Sequence, residues 1–141
     1  MFHAADGIWR KISDKFYKTG RKLYMNTVFV VDDSITNLFV AKNALCSEYS
    51  VYTMSSAEIM FNRLEKITPN LILLDIDMPV MNGLTAFEKL KSTKWAGIPV
   101  IFHSASDNET YEVTGLGLGA VDFIAKPCSK SVLLSRVKNH I

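Results

Sequence analysis

Three carboxylates, a hydroxyl and an ammonium each stand at the end of an apolar run in this chain. Asp32 and Asp33 follow VFVV, Asp75 follows LILL, Ser104 follows VIFH, and Lys126 follows DFIA. Asp77 lies two places beyond Asp75, within LILLDIDMPVMNG (Leu71–Gly83). Carboxylates gathered side by side would repel and raise one another's pKa. A hard divalent cation removes that conflict. Mg²⁺, or Mn²⁺ in its place, suits the set, because it takes oxygen ligands and keeps waters that a phosphate oxygen can displace. A carboxylate held beside such an ion can attack an electrophilic phosphorus. The ion and Lys126 would neutralise charge on the transferring group, and Ser104 can donate to one of its oxygens. The expected chemistry is phosphoryl transfer onto Asp75, if the fold brings these residues together.

Five β-branched or apolar runs, VFVV (28–31), SVYTM (50–54), LILLD (71–75), VIFH (100–103) and DFIA (122–125), are each followed by apolar residues at helical spacing. After the first run these are Ile35, Leu38, Phe39, Ala41 and Leu45, with Ser34 in N-cap position. Ile59, Met60, Leu64 and Ile67 follow the second, and Leu84, Phe87 and Leu90 the third. Tyr111, Val113 and Leu116 follow the fourth, and Val132, Leu133, Val137 and Ile141 the fifth. Strict strand–helix alternation predicts a parallel sheet covered on both faces. The fold class is α/β, a three-layer (βα)5 doubly wound domain. In a parallel sheet all strand C-termini share one edge, and such folds bind ligands in the crevice at its topological switch point. Alternation alone therefore predicts that Asp32, Asp33, Asp75, Ser104 and Lys126 meet.

At 141 residues, 48% hydrophobic and 21% charged, the chain is expected to form one domain and not a disordered tract. A net charge of +2 is too small to argue for nucleic acid, and no direct nucleic-acid binding is expected. No apolar run approaches a membrane span, and Met1–Gly20 does not read as a signal peptide. Cys46 and Cys128 have neither metal-ligand nor disulfide spacing, so a cytoplasmic protein with free thiols is the expectation. The charge is uneven. Arg10, Lys11, Lys15, Lys18, Arg21 and Lys22 stand against Asp6 and Asp14. Residues 1–26 thus read as a basic extension and residues 27–141 as the domain. Ile8, Ile12 and Phe16 recur at i, i+4 in that extension, with Trp9 beside them. Such a pattern fits a membrane surface, a partner, the domain itself, or foreign upstream sequence.

VVDDS, LLDIDMPVMNG, HSAS and AKP, in this order, resemble the receiver domain of bacterial two-component response regulators across residues 27–141. The resemblance implies a flavodoxin-like fold with strand order 2-1-3-4-5. It implies that Asp75 accepts a phosphoryl group from the phosphohistidine of a sensor histidine kinase or phosphotransfer protein. It further implies that Asp33 and Asp75 bind Mg²⁺ directly, that Asp32 holds it through water, and that the backbone carbonyl of Asp77 is another ligand. Lys126 would contact the phosphoryl group, and the Lys126–Pro127 peptide would be cis. Ser104 and Phe123 fall at the switch positions. Phosphorylation would draw Ser104 inward and let Phe123 rotate in behind it. The fourth helix, fifth strand and fifth helix would then present a changed face to a partner protein, an output domain or a second copy in a dimer. The Asp77 side chain either tunes hydrolysis of the phosphoryl group or is simply solvated. Phe123 lacks a hydroxyl, so its switching would rest on packing alone.

Other residues take plainer roles. His103 is structural or at the surface, and Cys128 is packed, with redox sensing a minor reading. GLGLGA (115–120) matches G-x-G-x-x-A in form, but it ends a helix and precedes a strand, the reverse of a dinucleotide fingerprint. Its glycines serve as helix stop and turn. Lys126 is expected to matter more for the response than for the fold. Two rival functions remain to be weighed. A haloacid-dehalogenase-like phosphatase also begins with apolar residues and D-x-D, as in LILLDID. Pro79 stands where that motif has Thr or Val, however, and the acidic pair precedes the nucleophile instead of following it. A binding module of the same fold that never takes phosphate has no need to gather three carboxylates. The chain reaches Ile141 within the expected fifth helix, which fits a single-domain receiver or a piece of a longer protein.

Overall fold

The computed structural model describes residues 25–105 and 109–141. The basic extension, apart from Met25 and Asn26, lies outside the described residues. Five strands, β1 (Thr27–Val31), β2 (Ser50–Met54), β3 (Leu71–Leu74), β4 (Val100–Ser104) and β5 (Asp122–Ala125), alternate with helices. These are α1 (Ile35–Leu45), α2 (Ala57–Leu64), α3 (Gly83–Lys91), α4 (Glu109–Gly117) and α5 (Lys130–His140). All strand pairs are parallel, in the order β2-β1-β3-β4-β5. Both the alternation and the order agree with expectation, and the strand ends shift by no more than one residue. β3 stops at Leu74, just before Asp75, and β4 takes in Ser104.

Val28–Val31 of β1 and all of β3 are apolar because helices cover both faces of the sheet. Alternation along a strand sends successive side chains to opposite layers. Phe29, Val31, Ile72 and Leu74 pack with Met60 and Leu64 of α2 and Phe87 and Leu90 of α3. Val28, Val30, Leu71 and Leu73 pack with Leu38 and Leu45 of α1 and Leu133 and Val137 of α5. Four helices start on a capping side chain: Ser34, Ser56, Asn82 and Ser129 accept from the N–H groups of Asn37, Ile59, Thr85 and Val132. Among the described residues no helix is long and apolar enough to cross a membrane.

Helical spacing finds the helices but overcounts their buried faces. Ile35 and Phe39 are 81% and 66% exposed, while α1 buries Leu38, Ala41, Ala44 and Leu45. Val113 and Leu116 of α4 are exposed as well. That helix rests on the sheet through Gly115, where a Cβ would come within 2.8 Å of the Phe102 ring, and through the inward-packed Tyr111. Small residues bring α1 and α4 close to the sheet, and larger apolar side chains are left outside. α4 ends at Gly117, the Gly119 N–H donates to the Leu116 carbonyl, and Gly119 has φ of +108°. The run GLGLGA is a helix stop and turn, as expected. Ile141 follows α5 and does not lie within it.

Candidate functional site

Three site residues occupy equivalent places on three strand ends. Asp32 lies one residue beyond β1, and its N–H donates to the Met54 carbonyl of β2 at 3.0 Å. Asp75 lies one residue beyond β3 and donates to Val31 of β1 at 2.9 Å. Lys126 lies one residue beyond β5 and donates to Ser104 of β4 at 2.9 Å. Each backbone is still held by the ladder of the neighbouring strand, while each side chain emerges at the C-terminal edge. The strand order reverses between β1 and β3, so Asp32 and Asp75 flank the switch point of the sheet.

The carboxylate oxygens of Asp32, Asp33 and Asp75 lie within 4.8 Å of one another. Asp32 and Asp75 are only 4% and 6% exposed, whereas Asp33 is open to solvent. Asp32 accepts from the Ser34 N–H at 2.9 Å through Oδ1 and from Lys126 Nζ through Oδ2. Lys126 Nζ is also 3.8 Å from Asp75 Oδ1, which accepts from the Ile76 N–H at 2.9 Å. Burial pushes the Asp75 carboxyl up to about 6; Lys126 pulls it down, while Asp32 and Asp33 add to the rise. Three carboxylates face one ammonium here, and every donor in the cluster is an oxygen. That composition fits a hard divalent cation and offers nothing to a soft one.

The remaining predicted residues are placed less centrally. Ser104 is fully buried at the end of β4. Phe123 is half-buried on β5, opposite Phe102 in the ladder and packed against the inner layer. The Asp77 side chain is exposed, and the Lys126–Pro127 peptide is cis. Sequence reasoning passed over Gly83. Its N–H donates to the Ile76 carbonyl at 2.8 Å, and a Cβ on it would lie 2.1 Å from the Asp75 carbonyl oxygen. The available signal was a glycine directly after a capping Asn, at a helical position where propensity disfavours it. Between these points Val80 adopts φ of 69° in a γ-turn closed by the Met81 N–H on the Pro79 carbonyl, a strained conformation for a β-branched residue.

His103 is expected from the sequence to be structural or at the surface. It is partly buried on β4, with Nε2 3.6 Å from Cys128 Sγ. Both line a cavity of about 560 Å³ between α1 and α5, together with Val40, Lys126 and Leu133. Burial lowers the His103 pKa from 6.5 to about 4, repulsion from Lys126 adds to this, and Asp32 opposes it. Between those two pH values the unfolded chain binds a proton that the folded chain refuses. Stability therefore falls as pH falls through this window, by about 3 kcal/mol in total. His103→Gln abolishes this dependence. Urea melts from pH 7 to pH 4.5 are expected to shift progressively in the variant's favour relative to the parent. A difference that stays constant with pH would show that His103 is not held neutral.

The sequence profile described as "Response regulator receiver domain" matches residues 28–138. The chain is 34% identical over 127 residues to a probable cyclic di-GMP phosphodiesterase of Vibrio cholerae serotype O1, covering 89% of this chain and 29% of that protein. It is 36% identical over 113 residues to the alkaline phosphatase synthesis transcriptional regulatory protein PhoP of Bacillus subtilis, covering 79% and 46%. It thus spans less than half the length of either relative. Among solved structures, the BeF3-activated receiver domain of DrrB from Thermotoga maritima superposes with a TM-score of 0.75 at 26% identity, over 83% of this chain and 97% of that one. A strand order of 2-1-3-4-5, an acid cluster drawn from β1 and β3 and a profile match over nearly the whole described domain favour the receiver reading over the phosphatase one. The chain belongs to the response regulator receiver domain family, whose members are phosphoacceptor domains.

Proposed function

We propose that Asp75 takes a phosphoryl group from the phosphohistidine of a sensor histidine kinase or phosphotransfer protein in a Mg²⁺-dependent reaction. The supporting observation is the convergence of Asp32, Asp33 and Asp75 within 4.8 Å, with Lys126 Nζ 3.8 Å from the acceptor. Asp33 and Asp75 would hold the ion directly, Asp32 through water, and Asp77 through its backbone carbonyl. When bound, the ion offsets the repulsion among the acids and charge on the transferring group. The Ile76 N–H and Lys126 both address Asp75 Oδ1, which orients Oδ2 for attack. An oxygen–phosphorus bond forms as the donor's nitrogen–phosphorus bond breaks, and Lys126 turns towards the added phosphoryl oxygens. Ser104 donates to one of them, and Phe123 fills the space behind. The change reaches the face made by α4, β5 and α5, where a partner protein, an output domain or a second copy in a dimer would read it. Ile35, Phe39 and Val40, exposed on α1 just past Asp33, give the donor an apolar landing beside the crevice. The chain would catalyse only its own phosphorylation and dephosphorylation, and it would share the cytoplasm with its donor.

Acetyl phosphate with Mg²⁺ should add a single phosphoryl group per chain, detected by intact-mass spectrometry. Repeated turnover of p-nitrophenyl phosphate would instead indicate a phosphatase, and no incorporation a binding module. Lys126 would have two duties, in the response and, to a smaller degree, in the fold. Its ammonium is paired with a buried Asp32, so Lys126→Ala leaves two buried carboxylates facing each other. Breaking a buried pair costs several kcal/mol. Asp75 can hold a proton here, so the loss in metal-free buffer is expected to be about 2 kcal/mol. Phosphoryl incorporation should fall further than the melting temperature explains. Normal incorporation by the folded fraction would reduce Lys126 to an ion-pair partner.

A further inference from the structure

We propose that the cavity between α1 and α5 binds a small, largely apolar molecule that carries one negative charge, in class an aromatic monoanion. Its volume of about 560 Å³ falls within the roughly 300–1,000 Å³ usual for ligand pockets. Val40 of α1 and Leu133 of α5 supply apolar walls. The buried Ala41 and Ala44 keep the α1 side short, and room is left between the two helices. Cys128 Sγ and His103 Nε2 also line the space, 3.6 Å apart. Burial raises the thiol and lowers the imidazole to about 4, so both are neutral at pH 7 and can satisfy each other. The interior thus asks an occupant for neither a proton nor a charge. Val40 is 59% exposed, an apolar side chain that an occupant would take out of water.

The sign of the occupant's charge follows from the lining. Among the described residues Lys126 and Lys130 line the cavity, and no Asp or Glu does. Such a surface repels a cation and draws an anion. The two lysines are not equivalent. Lys126 Nζ bonds Asp32 and lies 3.8 Å from Asp75 Oδ1, so a negative head beside it would meet the carboxylates of the acceptor site. Lys130 is exposed at the first position of α5 and has no ion pair among the described residues. The head therefore belongs at Lys130, and the apolar body between Val40 and Leu133. Asn37 and Asn43 add groups that can donate or accept and do not select for charge. A docking protein would rest on the outward row of Ile35 and Phe39, whereas a recess between two helices with one unpaired cation suits a single small molecule.

The test uses the full chain without phosphodonor or Mg²⁺, so its outcome is separate from the role of Asp75. The probe is 8-anilinonaphthalene-1-sulfonate, an aromatic monoanion whose fluorescence rises in apolar surroundings. Alkylation by N-ethylmaleimide, read by peptide mass spectrometry, locates it. Cys128 lines the cavity, and Cys46, the chain's other cysteine, is exposed and does not. With the probe at about ten times its Kd, Cys128 alkylation should slow about tenfold while Cys46 keeps its rate. Lys130→Glu should weaken probe binding about tenfold, and Lys130→Arg should retain it. Val40→Asp should weaken it at least about tenfold. Both positions are exposed, and an acid at the start of α5 suits the helix dipole, so melting temperatures should stay close to the parent's. Brightening of the probe with Cys128 still reacting at its free rate would place it on another apolar patch and overturn the proposal. Equal protection of both cysteines, or affinity indifferent to Lys130→Glu, would overturn it too.

Discussion

Asp75→Asn is expected to reduce phosphoryl incorporation from acetyl phosphate to background while making the metal-free chain more stable at pH 7.5. The first effect follows from removing the nucleophilic oxygen, since the amide has no electron pair basic enough to attack phosphorus. The second follows from the surroundings of the carboxylate. Burial, Asp32 and Asp33 together raise its pKa from 3.8 to about 6, against the pull of Lys126. A folded pKa above the unfolded one means that the fold is favoured while Asp75 is protonated and loses stability as pH rises through 6. That loss is up to about 3 kcal/mol at pH 7.5. Asparagine escapes it, and its carbonyl can still accept from the Ile76 N–H. The advantage of the variant should therefore be largest above pH 6 and vanish near pH 4, as followed by urea melts in chelator. Mg²⁺ should then stabilise the parent more than the variant, because a ligand that binds only the folded state adds to its stability. Parent-level labelling of the variant would remove Asp75 as acceptor. A variant less stable than the parent at both pH values would mean that the contact with Lys126 outweighs burial.

The sheet and the gathering of acids could be read from the sequence because both depend on alternation. Once VFVV, LILL and DFIA are parallel strands, Asp32, Asp75 and Lys126 must share an edge. Pairing between side chains far apart in sequence has no such periodic signature. Lys126 was expected among the carboxylates, but that it pairs with Asp32, 94 residues away, more closely than with Asp75 emerged only in three dimensions. Asp122 is a similar case. It begins β5 and accepts from Arg136 at 2.9 Å, with His140 at 3.2 Å, tying the strand to the last turns of α5. Burial pushes its carboxyl up, but the bonds from Arg136, the Phe123 N–H and His140 outweigh that and hold it below the ordinary carboxylate range. The exposure of Ile35 and Phe39 was also hidden, because apolar spacing cannot tell a core-facing residue from one that awaits a partner. Small residues such as Ala41 and Ala44 decide which side of α1 sits down on the sheet.

Gly83→Ala is expected to damage the fold and the acceptor together. The added Cβ would lie 2.1 Å from the Asp75 carbonyl oxygen and 2.9 Å from both the Asp75 carbonyl carbon and Ile76 Cα. These are backbone atoms at the end of a central strand, so no side chain can swing away to relieve the clash. Either the start of α3 moves outward and gives up the Gly83 N–H bond to Ile76, or the strand tip moves and carries Asp75 with it. Overpacking costs about 1–3 kcal/mol and a lost buried hydrogen bond adds about 1 or more. The variant should accordingly lose about 4 kcal/mol, or some 10–20 °C in melting temperature for a domain of this size. Any strand-tip movement of about 1 Å should also slow phosphorylation by about 100-fold in the fraction that folds. Gly97→Ala serves as the control, since nothing lies within 4 Å of its Cβ position. It should leave stability unchanged or raise it by about 0.4–1 kcal/mol through the unfolded chain. Equal melting temperatures for the two variants would show that α3 does not seat on the backbone of Asp75. A large loss of stability in Gly83→Ala with an undiminished phosphorylation rate would show that α3 yields and the strand tip does not.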